Sequence, residues 1–510
     1  MTSPVPAIDP AGTALGATIL TVLFTPVVSL LVLWRFRSAV ERSMRFEAGH
    51  RDVRVRELRP VASPVPRVTA GRSATMSPDA TAVSRLRQAA GWYLAAGLTY
   101  AVLTAVLLLS LNGQELLPLR TALVIVVFAW PLAPTLALVC AWSWRGIALA
   151  VACYIGVIVV LGLFSSGGVG GPLLLWALYM LPPSLIVAAV ALRRVRAVGP
   201  FLAPAVFVVG AGFMIWPWIA LVVAEAGASL EVATGLAIAL IALVAAAALL
   251  VVPLAAWRHR RKASSDQSVL VDQWWLLFAL TQSLFTPQLG TQALALLLPY
   301  VGYLVVVRIG RARGYRSALR QRPRSLLLLR VFGARGRSER LLRQINAYWR
   351  YIGSVELIAG TDLASAALEP HEFLDFIRGT LSRQFIGDPA GLAQQLSALD
   401  RQPDRDGRFR INQFYCHANM WQPTVEALAG SADVILVDLR GLRADNDGVA
   451  YELTMLARLG ALGRTLGLVD GTTDRNFLSW VLSRAGGPPP RTVDLGARPV
   501  GPLELLRHLW

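Results

Sequence analysis

Charged residues are scarce in this chain of 510 residues, where they make up 16% of the sequence. Soluble proteins carry about 25%, so this sequence is not that of an ordinary soluble protein along its whole length. The shortage is confined to the first part: residues 1–310 hold 22 basic and 11 acidic side chains, whereas residues 311–510 hold 27 and 20. We therefore predict a lipid-solvated region over 1–310 and a globular domain after it.

Cysteine and lysine are scarce as well. Cys140, Cys153 and Cys416 are too few for a disulfide framework, and they fit a reduced cytoplasmic compartment for the soluble part. Lys262 is the only lysine, so the net charge of +18 comes from arginine, as is typical of a GC-rich bacterial genome. In a soluble protein that charge would suggest nucleic acid. Here we expect no nucleic acid, because many arginines flank apolar segments and are placed to contact a bilayer with an anionic inner leaflet.

Seven apolar segments are long enough to cross a bilayer, which takes about 20 residues. They are 13–34, 91–111, 121–143, 146–164, 172–192, 201–223 and 232–257. The connecting segment 35–90 holds twelve arginines and is rich in proline and serine over much of its length. Because basic loops stay in the cytoplasm, we predict that it is a disordered cytoplasmic loop and that the N-terminus lies outside.

Residues 270–308 fit either one long span or two short ones. The basic clusters at 258–262 and 308–316 both belong inside, so an even number of crossings must separate them. The segment is therefore either a tight hairpin hinged near Pro287 and Gly290, giving about nine spans, or a re-entrant segment, giving seven. The spans have no ionisable residue near their midpoints, which disfavours a coupled transporter.

The pattern changes after residues 311–324, a basic run that we interpret as a juxtamembrane linker on the inner leaflet. From 325 to 510, short β-rich runs alternate with stretches of helical spacing. This alternation predicts a doubly wound, flavodoxin-like α/β domain in the cytoplasm, with a largely parallel sheet of about five strands. Binding sites of such sheets lie at the carboxyl ends of the strands. The whole chain is thus predicted to be a multi-pass α-helical protein of a bacterial plasma membrane followed by this soluble domain.

Polar residues follow two of the predicted strands. The first such segment extends from Arg330 to Arg337. It contains Gly333, Arg335 and Gly336 and opens onto a helix. Backbone amides at a helix N-terminus, together with arginine side chains, form a seat for a phosphate group. The alternative is an ordinary turn, since the segment has neither a GxGxxG pattern nor a Walker lysine.

The second strand ends at Asp438 and leads into a polar loop that contains Asp445 and Asp447. Gly448 then opens a helix that carries Glu452 near its start. Over about 432–470 this arrangement resembles nucleoside 2-deoxyribosyltransferases, in which the same spacing separates the glycine and the glutamate. Here the aspartate two positions before the glycine is replaced by asparagine, and the N-terminal signature of the transferases is missing.

The same strand, loop and helix also resemble Toll/interleukin-receptor (TIR) domains, in which a comparable helix carries a Glu-Leu pair. The opening strand with Arg330 and the loop after it are similar to TIR domains too, so that this resemblance covers about 325–485. It implies that Glu452 stabilises or traps the oxocarbenium-like centre formed when an N-glycosidic bond is cleaved. Asp438, Asp445 or Asp447 would then hold ribose hydroxyls or protonate the leaving base.

The resemblance implies NAD or a nucleoside as substrate, with no bound cofactor and no metal. The same residues also have a structural interpretation, in which Glu452 faces its helix dipole while Asp445 and Asp447 are turn and cap residues. Two functions follow. One is a signalling or defence-type effector whose domain binds a nucleotide and cleaves an N-glycosidic bond. The other is a non-enzymatic membrane receptor or scaffold that acts through protein interactions, self-association included.

Overall fold

The computed structural model describes residues 10–45, 78–190, 266–331, 335–359 and 384–509, with short gaps inside these ranges, and isolated positions between 202 and 238 and at 376. The chain divides into two compact units. The helical unit comprises Met1–Trp34, Arg87–Arg313 and Glu369–Leu374, and the α/β unit comprises Arg35–Leu86, Gly314–Leu368 and Asp375–Trp510. Most of the two predicted spans 201–223 and 232–257 lies outside the described residues.

The first part of the chain is helical. Its helices are α1 (Pro10–Arg45), α2 (Pro78–Leu111), α3 (Pro118–Phe128), α4 (Leu132–Val139), α5 (Trp144–Leu163), α6 (Gly170–Tyr179), α7 (Leu181–Val190), α8 (Asp266–Leu284) and α9 (Leu298–Leu319), with a 3-10 segment at Pro287–Leu297. The break between α8 and α9 falls at the proline and glycine where the sequence predicts a hinge.

Four helical stretches of the described chain are long and apolar enough to cross a membrane. They are Gly16–Arg42, Asp79–Leu111, Arg145–Leu163 and Gln292–Leu319. Helices α3 and α4 pass the same test together, although they are bent by 41°, so the number rises to five if this pair is one span. These apolar helices agree with a membrane region in the first part of the chain, as predicted.

Two predicted spans are interrupted. The segment 121–143 is broken between α3 and α4 by Pro131, which cannot donate the backbone hydrogen bond that a continuous helix needs. The hydroxyl of Tyr154 donates to the carbonyl oxygens of Val126 and Val127 at 2.8 Å each. These bonds add to the backbone hydrogen bonds that the same carbonyls accept from Ala129 and Trp130 where α3 ends. The segment 172–192 is broken at Met180, between α6 and α7.

Two sequence-based boundaries are wrong. The segment 35–90 was predicted as one disordered loop, but α1 continues to Arg45 and α2 begins at Pro78, so both of its ends are helical. The run 311–324 was predicted as a linker, but α9 continues through it as far as Leu319. The physical reason is that arginine and alanine are good helix formers, and a basic run does not by itself end a helix.

Glycine allows close packing inside the helical unit. A Cβ atom on Gly97 of α2 would overlap the side chain of Leu132 on α4 and lie 2.9 Å from Cη2 of Trp275 on α8. A Cβ atom on Gly310 of α9 would overlap the side chain of Trp92 on α2. Helix α2 therefore packs against α4, α8 and α9 at positions where a larger residue does not fit, as is common between membrane helices.

The second part of the chain alternates strands and helices. Its elements are β1 (Arg324–Arg330), α10 (Arg335–Trp349), β2 (Gly353–Ile358), β3 (Phe385–Ile386), α11 (Pro389–Ser397), β4 (Ile411–Cys416), α12 (Trp421–Ser431), β5 (Val434–Asp438), α13 (Asp447–Arg458), β6 (Thr465–Val469), α14 (Arg475–Ala485), β7 (Arg491–Asp494) and α15 (Pro502–His508). The strands form one parallel sheet in the order β3-β4-β2-β1-β5-β6-β7. The predicted parallel α/β architecture is confirmed, with seven strands instead of about five.

The order of the strands places a switch point beside β1. The chain leaves β1 for β2 and β4 on one side and then returns to β5 on the other side. Every residue of β1 from Ser325 to Arg330 is buried, so helices cover both faces of the sheet there. Ligands of doubly wound sheets bind in the crevice at such a switch point, which directs attention to the last residues of β1 and β5.

Candidate functional site

The carboxyl ends of β1 and β5 meet at the switch point of the sheet. Arg330 is the last residue of β1, and its register partner Asp438 is the last residue of β5. Glu452 lies in the second turn of α13, the helix that follows β5. Each of the three residues is only 3% exposed. Three ionisable side chains from the predicted site are therefore buried at this end of the sheet.

Glu452 is buried because of its position on an amphipathic helix. Val449, Leu453 and Leu456 of α13 belong to the hydrophobic core, and Glu452 lies on the same side of the helix between them. Its Oε2 atom has no hydrogen-bond partner within the described part of the chain. Burial raises the pKa of Glu452 to about 8, although the positive charge of Arg330 opposes that rise. The carboxyl group is thus mostly protonated at neutral pH. It is buried although one of its oxygens has no hydrogen-bond partner within the described residues.

Arg330 provides positive charge next to this carboxyl group. Its Nη1 atom donates to the carbonyl oxygen of Ile358, the last residue of β2, at 3.1 Å. The hydrogen bond holds the guanidinium group across the carboxyl ends of β1 and β2. Because the group is almost fully buried, its charge acts at a low local dielectric and is little screened by solvent.

The carboxylate of Asp438 is bound by an arginine from the loop that follows it. Arg440 donates from Nε to Oδ1 and from Nη2 to Oδ2, both at 2.7 Å. Such a two-point contact is among the strongest pairings available to a carboxylate. A substrate hydroxyl at this position would therefore meet an ion pair instead of a lone carboxylate. Arg440 was missed in the sequence because an arginine two residues beyond a strand is an ordinary loop residue.

A second charged cluster lies at the end of β6. Arg337 of α10 donates from Nη1 to Oγ1 of Thr472 at 3.2 Å, and the same nitrogen is 3.9 Å from Oδ2 of Asp470. Burial alone would raise the pKa of Asp470, but hydrogen bonds from Thr472 and the charges of Arg337 and Arg440 hold that pKa below its ordinary value. The arginine-rich turn after β1 thus reaches the end of β6 through Arg337.

The remaining predicted residues of the first loop lie wholly or partly outside the described part of the chain. Gly333 lies outside the described residues. Arg335 and Gly336 are the first two residues of α10, and the side chain of Arg335 is not among those described. The predicted phosphate seat at this turn stays a prediction.

The acidic loop after β5 is organised by an asparagine. Asn446 is the residue that precedes α13, and its Oδ1 atom accepts a hydrogen bond from the backbone amide of Arg443 at 2.9 Å. Asp445 lies in the turn and Asp447 is the first residue of the helix, and both side chains are exposed. These positions match the turn and helix-start roles that aspartate commonly has. Arg330, Asp438 and Glu452 are each buried, and the charge of Arg330 acts on Glu452.

A reactive cysteine and a bound metal ion find less support as catalytic groups. Cys416 ends β4 on the same edge of the sheet, but burial raises the pKa of its thiol to about 11, so little of the reactive thiolate exists at neutral pH. No group of three or more His, Cys, Asp or Glu side chains suited to a metal ion occurs within the residues that the structure describes. Glu452, by contrast, combines almost complete burial with a carboxyl oxygen that has no hydrogen-bond partner within the described residues.

Comparisons with known proteins do not assign the chain to a family. No protein-family model matches the chain, and no curated protein matches its sequence. The resemblance to TIR domains and to nucleoside 2-deoxyribosyltransferases therefore stays a prediction carried by the residues of 325–485.

Proposed function

We propose that this protein is a membrane-anchored effector of the signalling or defence type, whose α/β domain binds a nucleotide and hydrolyses an N-glycosidic bond of the NAD type. One observation carries the proposal: Glu452 is a buried carboxyl group near the switch point of the sheet, and one of its oxygens has no hydrogen-bond partner among the described residues. Holding such a group in the interior costs stability, and that cost is common where a carboxyl group serves a reaction.

The reaction breaks the bond between the anomeric carbon of the ribose and the ring nitrogen of nicotinamide. The bonding electron pair leaves with nicotinamide, which becomes neutral, and the ribose is left as an oxocarbenium-like cation. The ionised carboxylate of Glu452 stabilises that cation or adds to it, and water completes the substitution and loses a proton. A positively charged nicotinamide ring and Arg330 both favour the ionised form of Glu452.

Two arginines at the carboxyl ends of the strands have a separate role in the proposal. Arg330 and Arg440 lie at the carboxyl ends of β1 and β5, where the phosphates of a dinucleotide bind in doubly wound sheets. Planar guanidinium groups suit two-point contacts with phosphate oxygens. Arg440 would exchange part of its contact with Asp438 for such an oxygen, which leaves Asp438 free to accept a hydrogen bond from a ribose hydroxyl.

The test is release of nicotinamide from NAD by the full-length protein in detergent micelles, measured by chromatography. Glu452→Gln should lower the rate by about 100-fold or more, because the variant keeps the shape of the side chain but cannot become negative. The wild-type rate should increase with pH as Glu452 ionises around its pKa of about 8.

The matched control is Glu426→Gln, which changes an exposed glutamate of α12 and should leave the rate unchanged. Absence of nicotinamide release by the wild-type protein, at any protein concentration, would overturn the enzymatic proposal. Equal rates for Glu452→Gln and Glu426→Gln would overturn the role of Glu452 alone.

The second candidate function, a receptor or scaffold that acts by protein contact, is supported by an exposed aromatic group on α14. Trp480 is 52% exposed, although it is a large apolar side chain. It stacks on Phe477 with ring centroids 5.8 Å apart, and the guanidinium carbon of Arg484 lies 5.1 Å from its ring. Exposed tryptophan with a neighbouring arginine is the composition that dominates binding energy in protein interfaces.

Light scattering of the full-length protein in detergent tests this candidate. If α14 mediates self-association, Trp480→Ser should shift the protein to its monomeric mass at concentrations where the wild type is oligomeric. Leu459→Ser, which changes another exposed apolar side chain of the α/β unit, is the control and should leave the mass unchanged. An identical mass for wild type and Trp480→Ser would exclude α14 as the contact surface.

A further inference from the structure

Helix α8 is buried along most of its length. Every described side chain from Val271 to Gln282 is buried except Leu276 and Leu280, which are half-buried. A helix that is covered on all sides within a membrane bundle is normally apolar all round. Helix α8 instead carries Asp272, Gln273 and Gln282 in its buried length.

The charge of Asp272 is matched by Arg311 of α9. Oδ1 accepts from Nη2 at 2.6 Å and Oδ2 accepts from Nη1 at 2.9 Å. The hydroxyl of Tyr93 also lies 3.4 Å from Nη2 of Arg311. Asp272 is the only buried acidic residue in the described part of the helical unit. Within the described residues, the buried carboxylate of this unit is therefore compensated by an arginine and offers an ion no free negative charge.

The helical unit also buries a group of uncharged polar side chains that lie close to one another but form no well-aligned hydrogen bond within the described residues. The hydroxyl of Tyr100 lies beside the hydroxyl of Thr104 and the amide of Gln282. These three side chains are at most 1% exposed. None of the three groups has a well-formed hydrogen bond to the described residues, and both the amide oxygen and the amide nitrogen of Gln282 are unpaired. Buried polar groups are rarely left so, because each one costs the full free energy of its lost hydration.

Aromatic rings form one side of this group. Trp275 of α8 meets Tyr100 edge to face, with ring centroids 4.9 Å apart, and it stacks on Tyr303 of α9 at 4.8 Å. Its indole nitrogen donates to Oγ1 of Thr135 at 3.1 Å, which fixes the ring. The hydroxyl of Tyr303 is buried and has no partner within the described chain. We call Tyr100, Thr104, Trp275, Gln282 and Tyr303 the α8 polar cluster.

We propose that the α8 polar cluster is a binding site for a small uncharged molecule that combines a flat apolar ring with an amide or hydroxyl group. The unpaired amide and hydroxyl groups supply hydrogen-bond donors and acceptors at once, and the aromatic rings supply an apolar contact. A charged ligand is disfavoured because the buried carboxylate of the described residues, Asp272, is already bound by Arg311, and a second charge would enter an apolar bundle uncompensated.

The extent of the polar groups favours a binding site over a path across the membrane. On α2 they run from Tyr93 to Thr104, which are eleven residues apart. At about 1.5 Å per residue this covers about 16 Å, against about 30 Å for the hydrocarbon core of a bilayer. The polar interior therefore extends over about half of a membrane thickness, which suits a site that senses a ligand.

Benzamide is the probe that tests the proposal, with benzoate as its charged analogue and toluene as its apolar analogue. The full-length protein in lipid nanodiscs is heated with each compound, and saturable binding of labelled benzamide is measured by equilibrium dialysis. Benzamide should bind once per chain and raise Tm by about 3 °C at ten times its dissociation constant. Benzoate and toluene should give no saturable shift.

Substitutions in the α8 polar cluster test where benzamide binds. Tyr100→Phe, Thr104→Val and Gln282→Met keep the shapes of the side chains and remove the polar atoms, so each should weaken benzamide binding by about tenfold. The matched control is Gln273→Met, which removes another unpaired buried amide of α8. Gln273 is nine residues from Gln282 and therefore lies on the opposite face of the helix, and its replacement should leave binding unchanged.

Several results would overturn the proposal. Equal Tm shifts with benzamide, benzoate and toluene would show a general effect on the bilayer. Benzamide binding that survives all three substitutions would place the ligand elsewhere. No saturable benzamide binding, combined with a lower Tm for the three variants without ligand, would show that water alone occupies the α8 polar cluster.

Discussion

Replacing Glu452 with glutamine is expected to stabilise the α/β domain at alkaline pH by several kcal/mol. The carboxyl group has a pKa of about 8 in the folded protein, against about 4.5 for an ordinary glutamate. Between these values the unfolded chain has lost a proton that the folded state retains, so the wild type loses about 1.4 kcal/mol per pH unit as the pH rises. Glutamine has no proton to lose, and the variant escapes this loss.

The measurement is thermal unfolding of the full-length wild type and Glu452→Gln at pH values from 4.5 to 9. The difference in Tm should be small near pH 4.5, grow through neutral pH and level off above about pH 8. Glu426→Gln is the control, because it makes the same substitution at an exposed position of the same domain. Unfolding curves of Glu452→Gln that run parallel to the wild type at every pH would show that Glu452 is not buried in its neutral form.

This prediction also separates a catalytic Glu452 from a structural one. A glutamate kept for structure should lose stability on replacement, whereas one kept for chemistry should gain stability while activity falls. The unpartnered Oε2 atom favours the second outcome, since few contacts within the described chain would be lost.

Replacing Arg401 with methionine is expected to lower the free energy of unfolding by about 3–5 kcal/mol. Arg401 donates to both oxygens of Glu356, at 2.7 Å and 3.1 Å, and also to Ser431 at 2.8 Å. The side chain of Glu356 is 0% exposed in the centre of the sheet. Burial raises the pKa of Glu356, and Arg401 opposes that rise. Without the arginine, a carboxylate would be left in the core with no compensating charge.

Chemical denaturation of the full-length protein measures this loss as a change in the unfolding transition of the α/β domain. Restoring the balance with the double variant Glu356→Leu/Arg401→Met should recover most of the stability, because no buried charge remains. Arg475→Met is the matched control: it breaks an exposed pair with Asp494 and should cost about 1 kcal/mol or less. Equal losses for Arg401→Met and Arg475→Met would contradict the buried position of the first pair.

The sequence predicted the elements that carry strong local signals. The run of apolar residues after Arg324 became β1, and the apolar segment that ends at Asp438 became β5. Strands β3 and β7 were not predicted, because β3 has two residues and most of β7 is exposed. Short or exposed strands lack the apolar periodicity on which such a prediction rests.

The sequence predicts individual residues of the candidate site but not the contacts between them. The sequence placed Asp438 at a strand end and Glu452 near the start of a helix. It could not show that Arg440 binds Asp438 or that the charge of Arg330 acts on Glu452, because loop conformation and strand order bring these groups together. Asp445 and Asp447 looked equivalent to the buried residues, but they are exposed in the turn.

By itself, the sequence determined that the first part of this protein is apolar and helical and that the second part alternates strands and helices, since both properties follow from local composition and periodicity. Only the tertiary structure decided which polar groups are buried. Burial depends on the neighbours that packing supplies. It raises the pKa of Glu452 in the α/β domain, and it leaves the amide of Gln282 without a well-formed hydrogen bond to the described residues.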